Sequence, residues 1–240
     1  MHISCAGGTD PGRVRADNED HYLMLSERGV FIVADGIGGH AAGEVASEMA
    51  VRITSCAIGS LRGMSDQQAG ARVRRAIEAA NAAIFESTVS EEEKRGMGTT
   101  ATVLVLLEGR YLIGHVGDSR AYLLRGGHLV QLTKDHSYVQ ELVDAGVLTP
   151  AQARSHRYSG VITRYVGESR EVVPDLYVGA IEQGDTMLLA SDGLTEMLEE
   201  EALVRILCSD GEPQRCVDRM IAEANERGGL DNITAIVLRS

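Results

Sequence analysis

The chain has 240 residues, 44% hydrophobic and 24% charged, enough for one sizeable core of an ordinary globular protein and no reason to expect two domains. A formal charge of −12 argues against a nucleic-acid or anionic-membrane partner, and 4% aromatic residues with no Trp leave no platforms for base stacking. Cys5, Cys56, Cys208 and Cys216 show neither CxxC pairing nor zinc-ligand spacing, no apolar run approaches the roughly 18 residues of a membrane span, and Met1-His2-Ile3-Ser4 does not read as a signal peptide. The expectation is a cytoplasmic protein with free thiols.

Residues 1 to 9 read as a first strand, and the polar stretch from Asp10 to Asp20, which contains Arg15, Glu19 and Asp20, reads as a loop before a second strand at His21 to Leu25. A third apolar run, Val30 to Ala34, delivers Asp35 into a turn with Gly36, Gly38 and Gly39, and His40 follows. Strand, acid, glycine turn and helix place a carboxylate at the end of a rigid element beside exposed backbone carbonyls. A hard cation such as Mg²⁺ or Mn²⁺ takes that kind of oxygen-only site. Val45, Met49, Ile53 and Cys56 then recur at helical spacing, and Val73, Ile77, Ala80 and Ile84 mark a second helix, each expected to lie on a sheet by its apolar face.

From Gly98 the period changes. Thr99 to Leu107, Tyr111 to Val116, Ala121 to Arg125 and His128 to Leu132 read as an antiparallel meander, interrupted by Gly117-Asp118-Ser119-Arg120. Residues 135 to 167 look like an insertion, with a short helix at Tyr138 to Val143 and a second one opened by the capping box Thr149-Pro150-Ala151-Gln152. Strands resume at Val172 to Val178 and Thr186 to Ala190, the latter ending in Ser191-Asp192-Gly193. Two helices follow, the second stopped by Gly228-Gly229, and Asp231-Asn232 opens a last strand, Ile233 to Leu238. There is no repeat, low-complexity tract or linker, so residues 1–240 are expected to form a single α+β domain.

Asp35, Asp118, Asp192 and Asp231 each stand at a predicted strand end, at or near a glycine, and Glu19 and Asp20 precede a strand. Any one Asp-Gly is most often only a turn. Several converging on one rim would repel and raise one another's pKa values, and divalent cations would make such a cluster useful. Two metals about 3.5–4 Å apart can deprotonate a water aimed at phosphorus, which is hydrolase chemistry.

Arg15-Ala16-Asp17-Asn18-Glu19-Asp20, Asp35-Gly36-Ile37-Gly38-Gly39-His40, Gly98-Thr99-Thr100, Gly117-Asp118-Ser119-Arg120, Ser191-Asp192-Gly193 and Asp231-Asn232 together resemble the metal-dependent serine/threonine phosphatases of type 2C, nearest to their compact bacterial branch. The likeness runs nearly end to end with the motifs in order. It implies a four-layer αββα sandwich, two antiparallel sheets flanked by helices, with a flap at about 135–167. It implies that Asp35 bridges two Mn²⁺ or Mg²⁺ ions, with the Gly36 carbonyl on one and Asp192 and Asp231 completing the other. Glu19 and Asp20 would hold metal-bound waters, Asp118 with Asp192 would bind a weaker third ion, and Arg15 would grip the substrate phosphate. A metal-bridging hydroxide would then hydrolyse phosphoserine or phosphothreonine proteins, opposing a cognate bacterial serine/threonine kinase, in a monomeric enzyme. Animal members carry a histidine two residues after the bridging aspartate, where this chain has Ile37. His40 either replaces it as proton donor to the leaving alkoxide or merely caps the helix.

Three other readings compete. Cys56-Ala57-Ile58-Gly59-Ser60-Leu61-Arg62 has the C-x₅-R spacing of cysteine phosphatases, but Cys56 lies on the apolar stripe of a helix that is ending and is expected to fill core. No Lys-Ser/Thr follows Gly39, so the glycine turn is not a P-loop. A catalytically silent binding protein would typically have lost one of the acids, and all are present. His115 and His128 are read as structural, and His156 with Arg154 and Arg157 as either a substrate-facing part of the flap or a solvated loop.

Overall fold

The computed structural model describes residues 3–38, 42–61, 63–209 and 211–240. Ten strands form two five-stranded sheets in which every neighbouring pair is antiparallel. In the first, the order is β1 (Ser4–Asp10), β12 (Ile233–Arg239), β11 (Thr186–Ala190), β8 (Arg120–Arg125) and β9 (His128–Gln131). In the second it is β10 (Asp175–Ala180), β7 (Arg110–Val116), β6 (Ala101–Leu107), β3 (Val30–Ala34) and β2 (His21–Leu25). A further pair, β4 (Gly36–Ile37) with β5 (Gly98–Thr99), extends the turn after Asp35.

The inner strands are near-continuous apolar runs because both of their faces are covered. Side chains alternate across a strand, so Phe31 and Val33 of β3 point to the opposite sheet while Val30, Ile32 and Ala34 point to helices. Met187 and Leu189 of β11 likewise meet the partner sheet, and Leu188 and Ala190 meet helices. Three separate cores result: one between the sheets, one under α1 (Ala42–Ile58) and α2 (Asp66–Ser90), and one under α5 (Asp192–Met197), α6 (Glu200–Ser209) and α7 (Pro213–Glu226). Helix, sheet, sheet, helix is the four-layer sandwich expected.

Four expectations need correction. The meander is not one sheet: β6 and β7 belong to the second sheet and β8 and β9 to the first, so Gly117-Asp118-Ser119 carries the chain across the sandwich. Helix α1 packs by a face of small residues, among them Ala46, Ala50 and Thr54, which lets the helix approach the sheet closely. Val45, Met49 and Ile53 lie along its flank, and Cys56 is exposed rather than filling core. Three helices rather than two follow β11, and β10 starts at Asp175, not Val172.

The segment 135–167 contains the two short helices expected. Helix α3 (Tyr138–Asp144) is capped by Ser137, and α4 (Pro150–Arg154) carries the complete Thr149–Gln152 capping box. Its two ends come together at a bridge between Ser137 and Ile162. Among the described residues no helix is long and apolar enough to cross a membrane.

Candidate active site

Asp20 ends the loop before β2, Asp35 follows β3, Asp118 lies in the crossover from β7 to β8, Asp192 opens α5 after β11, and Asp231 precedes β12. Backbone hydrogen bonds that continue past the strands hold these ends. Thr100 Oγ1 accepts from Asp35 N–H (2.9 Å), Thr100 N–H donates to Asp35 O (2.9 Å), and Thr99 Oγ1 donates to the same carbonyl (2.8 Å). Thr100 Oγ1 also meets Ser119 Oγ at 2.7 Å, linking the Asp35 turn to the Asp118 turn. This is the physical content of Gly98-Thr99-Thr100.

Gly36 is required by close approach: a Cβ there would lie 2.4 Å from Gly43 O and 2.6 Å from Glu19 O. The Glu19 carboxylate itself rests against Gly43 near the start of α1, a favourable place for an anion. Gly193 is tighter still, with Asn232 O at 2.1 Å from the Cβ position, so the start of α5 and the Asp231-Asn232 turn can meet only over a glycine.

Asp20 is buried. Its Oδ2 accepts from Ser191 Oγ (2.8 Å) and Thr234 Oγ1 (2.6 Å), and Oδ1 has no partner. Asp118 Oδ1 and Asp192 Oδ1 are also buried without partners among the described residues. Burial pushes Asp20 up to about 7, reinforced by Asp192 and Asp231. Asp35 is held well above the carboxylate range by lost hydration and then by Asp20, Asp192 and Asp118. Burial and Asp192 raise Asp118, and burial and Asp231 raise Asp192. Without a cation the cluster must take up protons.

That is the behaviour of a site suited to divalent ions: oxygen donors only, negative, with orphaned carboxylate oxygens converging. Among the described residues no group of three or more acids, histidines or cysteines is gathered closely enough to hold a metal ion as it stands. Both oxygens of Asp231 are engaged, Oδ2 by Arg15 (2.7 Å) and Oδ1 by Asn232 N–H (2.8 Å). Arg15, expected at a substrate phosphate, thus rests on a carboxylate at the exposed edge of the cleft. His40 lies outside the described residues, as does Arg62 of the C-x₅-R stretch. Cys56 sits in the last turn of α1 rather than in a loop after a strand, so the cysteine-phosphatase geometry is not met.

Several contributing residues had no role assigned from the sequence. Ser191 and Asn232 stand inside the motifs Ser191-Asp192-Gly193 and Asp231-Asn232 without an evident part, and Thr234 showed only as a hydroxyl inside the apolar run of β12; Ser191 and Thr234 fix Asp20. Glu196, one helical turn after Asp192, lines a groove of about 860 Å³ together with Asp118, Asp192 and the flap, and burial with Asp192 and Asp231 raises its pKa. Asn232 does the most: its amide donates to Pro11 O (3.0 Å) and Asp17 O (2.9 Å) and accepts from Glu19 N–H (2.8 Å), holding the loop that carries Arg15, Glu19 and Asp20. Asn232→Ala is expected to lower unfolding free energy by roughly 2–3 kcal/mol in denaturant titration, because it strands three backbone groups.

A family model described as protein phosphatase 2C matches residues 9–223. The protein phosphatase PhpP of Streptococcus pneumoniae is 39% identical over 233 residues, covering 96% of this chain and 94% of that protein. The crystal structure of the Mycobacterium tuberculosis serine/threonine phosphatase PstP/Ppp superposes with a TM-score of 0.92 at 38% identity over 99% of this chain and 98% of that one. A PstP catalytic domain in complex with two manganese ions superposes with a TM-score of 0.89 at 37% identity over 99% and 97%. The shared sandwich and these likenesses define a protein serine/threonine phosphatase. The chain belongs to the protein phosphatase 2C family.

Proposed function

We propose that the chain is a metal-dependent protein serine/threonine phosphatase that opposes a cognate serine/threonine kinase and works as a cytoplasmic monomer. The carrying observation is the set of acids at one end of the sandwich, three of them with a buried, unpartnered carboxylate oxygen, beside an exposed arginine. Asp35, the Gly36 carbonyl, Asp192 and Asp231 would hold two Mn²⁺ or Mg²⁺ ions, Asp118 with Asp192 a weaker third, and Glu19 and Asp20 would orient bound waters. Bound ions would polarise the phosphoryl oxygens and make water nucleophilic near neutral pH.

The chain's own residues do the rest. Ser191 and Thr234 fix the Asp20 carboxylate, Thr99 and Thr100 fix the backbone of Asp35, and Asn232 fixes the loop of Arg15, so that little reorganisation is needed. Arg15 stands at the solvent edge of Asp231, where its planar fork can meet an arriving phosphate once the carboxylate has a stronger partner. His40 is retained as candidate proton donor to the leaving alkoxide.

The direct test is hydrolysis of a phosphothreonine peptide with Mn²⁺ and then with excess chelator. Turnover that is absent with metal, or untouched by chelation, sinks the reading. Arg15→Ala is expected to lower kcat/KM for the peptide about 10- to 100-fold, as for a lost hydrogen bond to a charged group. Arg15→Lys should recover little of it, because an ammonium does not reproduce the paired contact.

A further inference from the structure

One buried side chain, His136, joins the Asp118 turn to the base of the flap. It stands between β9 and α3, where the chain leaves the first sheet. Its backbone N–H donates to Gly117 O (2.7 Å), and Gly117 N–H donates back to His136 Nδ1 (2.9 Å). A ring nitrogen that accepts from an amide carries no proton, so in the neutral ring the proton is on Nε2, which donates to Asp175 Oδ2 (3.1 Å). The other Asp175 oxygen takes Arg164 (3.0 Å) at the far end of the flap, and His136 O accepts from Thr163 N–H (2.8 Å). The His115 ring packs against the His136 ring with centroids 4.9 Å apart.

Asp118 is therefore pinned from both sides through its neighbours. Ser119 is held by Thr100 Oγ1 and by Thr102 Oγ1, which donates to Ser119 O (3.0 Å), and Gly117 is held by the two reciprocal bonds to His136. The carboxylate between them leaves Oδ1 buried and unpartnered. The flap segment also reaches the site through Val166, paired with Thr99 beside Asp35, and through Arg154 on Thr195 O, but neither of these contacts touches the Asp118 turn.

We propose that His136 is a positioning residue that couples the flap to the Asp118 carboxylate. Its Nδ1 face sets the turn that aims Asp118, and its Nε2 face, through Asp175 and Arg164, registers where the flap sits. By linkage, a cation at Asp118 also restrains the flap. The inference rests on the assignment of Asp118 to the weaker third ion.

Two substitutions separate the faces. His136→Asn offers an oxygen near the Nδ1 position but does not reach Asp175, and His136→Gln offers an N–H near Nε2 but no acceptor for Gly117. The readouts are Mn²⁺ titration calorimetry, for the weakest resolved site, and hydrogen exchange of residues 138–162 in metal-free protein. Asn should keep third-ion affinity while flap exchange accelerates. Gln should weaken that ion about tenfold or more, as losses behind a metal ligand do, while flap protection stays near native. Ala should lose both, and if it does not fold, the Asn and Gln pair decides. Identical failure of Asn and Gln on both readouts, or no change in either, overturns the coupling. Asp118→Asn is the reference: unchanged Mn²⁺ binding there overturns the Asp118 assignment, whereas weakened binding there with none in the Gln variant overturns the clamp alone.

Discussion

Replacing Asp35 by Asn is expected to reduce phosphopeptide turnover by about 10³-fold or more while leaving the metal-free protein at least as stable as its parent. Asp35 is strongly disfavoured as an anion: lost hydration and then Asp20, Asp192 and Asp118 hold its pKa well above the ordinary range. An amide of the same shape removes that repulsion and keeps the backbone bonds to Thr99 and Thr100, which do not involve the side chain. On the proposed reading, in which Asp35 would help hold two ions, the same change removes an anionic oxygen that they need. The melting midpoint without metal should therefore rise or stay level, and the increment produced by Mn²⁺ should shrink sharply. Functional sites commonly show stability gained where function is lost. Native-level turnover in the Asn variant would remove Asp35 from the chemistry. A large fall in metal-free stability would mean instead that the carboxylate serves the fold.

The strands were legible because the sandwich buries both faces of its inner strands, so β3, β6 and β11 are plain apolar runs. The flap helices were legible because capping is local: Thr149 and Gln152 need only each other. The face of α1 was not. Periodicity weights large side chains, whereas the helix turns Ala46 and Ala50 to the sheet and leaves Val45 and Met49 on the flank. The crossing at Gly117 was also hidden, since a glycine turn between two strands looks the same whether the second strand stays in the sheet or leaves it.

Within the site the acids could be read from their turns, but the partners of Thr99, Thr100, Ser191 and Asn232 could not, although these residues stand inside the motifs themselves. Asp20 is fixed by Ser191 and Thr234 from 171 and 214 residues away, and the loop before it by Asn232 from 213 to 221 residues away. Hydroxyls and amides at such separations have no periodicity and no spacing rule. Their role exists only once the strand ends meet. Arg15 illustrates the converse: its motif placed it in the site, but its partner in the structure is Asp231.

The same cluster sets how stability should depend on pH. Asp20, Asp35, Asp118 and Asp192 all have folded-state pKa values above their unfolded ones, with Asp20 at about 7. A group shifted upward binds its proton more tightly when folded, so its contribution is complete below the unfolded value near 4 and is lost as pH rises through the folded value. Asp175 and Asp185 are shifted downward, Asp185 chiefly by Arg125 and Asp175 by His136 and Arg164 against the opposing effect of burial. Their contribution is lost only in more acidic solution. Buried His115, pushed down to about 3, and buried His136, also lowered, act the other way below their unfolded value near 6.5, so the clean window lies above it. Metal-free protein should thus melt at a higher temperature at about pH 6.5 than at about pH 8, each kcal/mol moving the midpoint by about 2–4 °C. Saturating Mn²⁺ should reverse the order. It stabilises by binding the folded state alone, and it binds best where the carboxylates are ionised. Calorimetric scans at the two pH values, with chelator and with Mn²⁺, give the four midpoints. A chelated protein more stable at the higher pH would show that burial and mutual repulsion do not hold these acids above their unfolded pKa values.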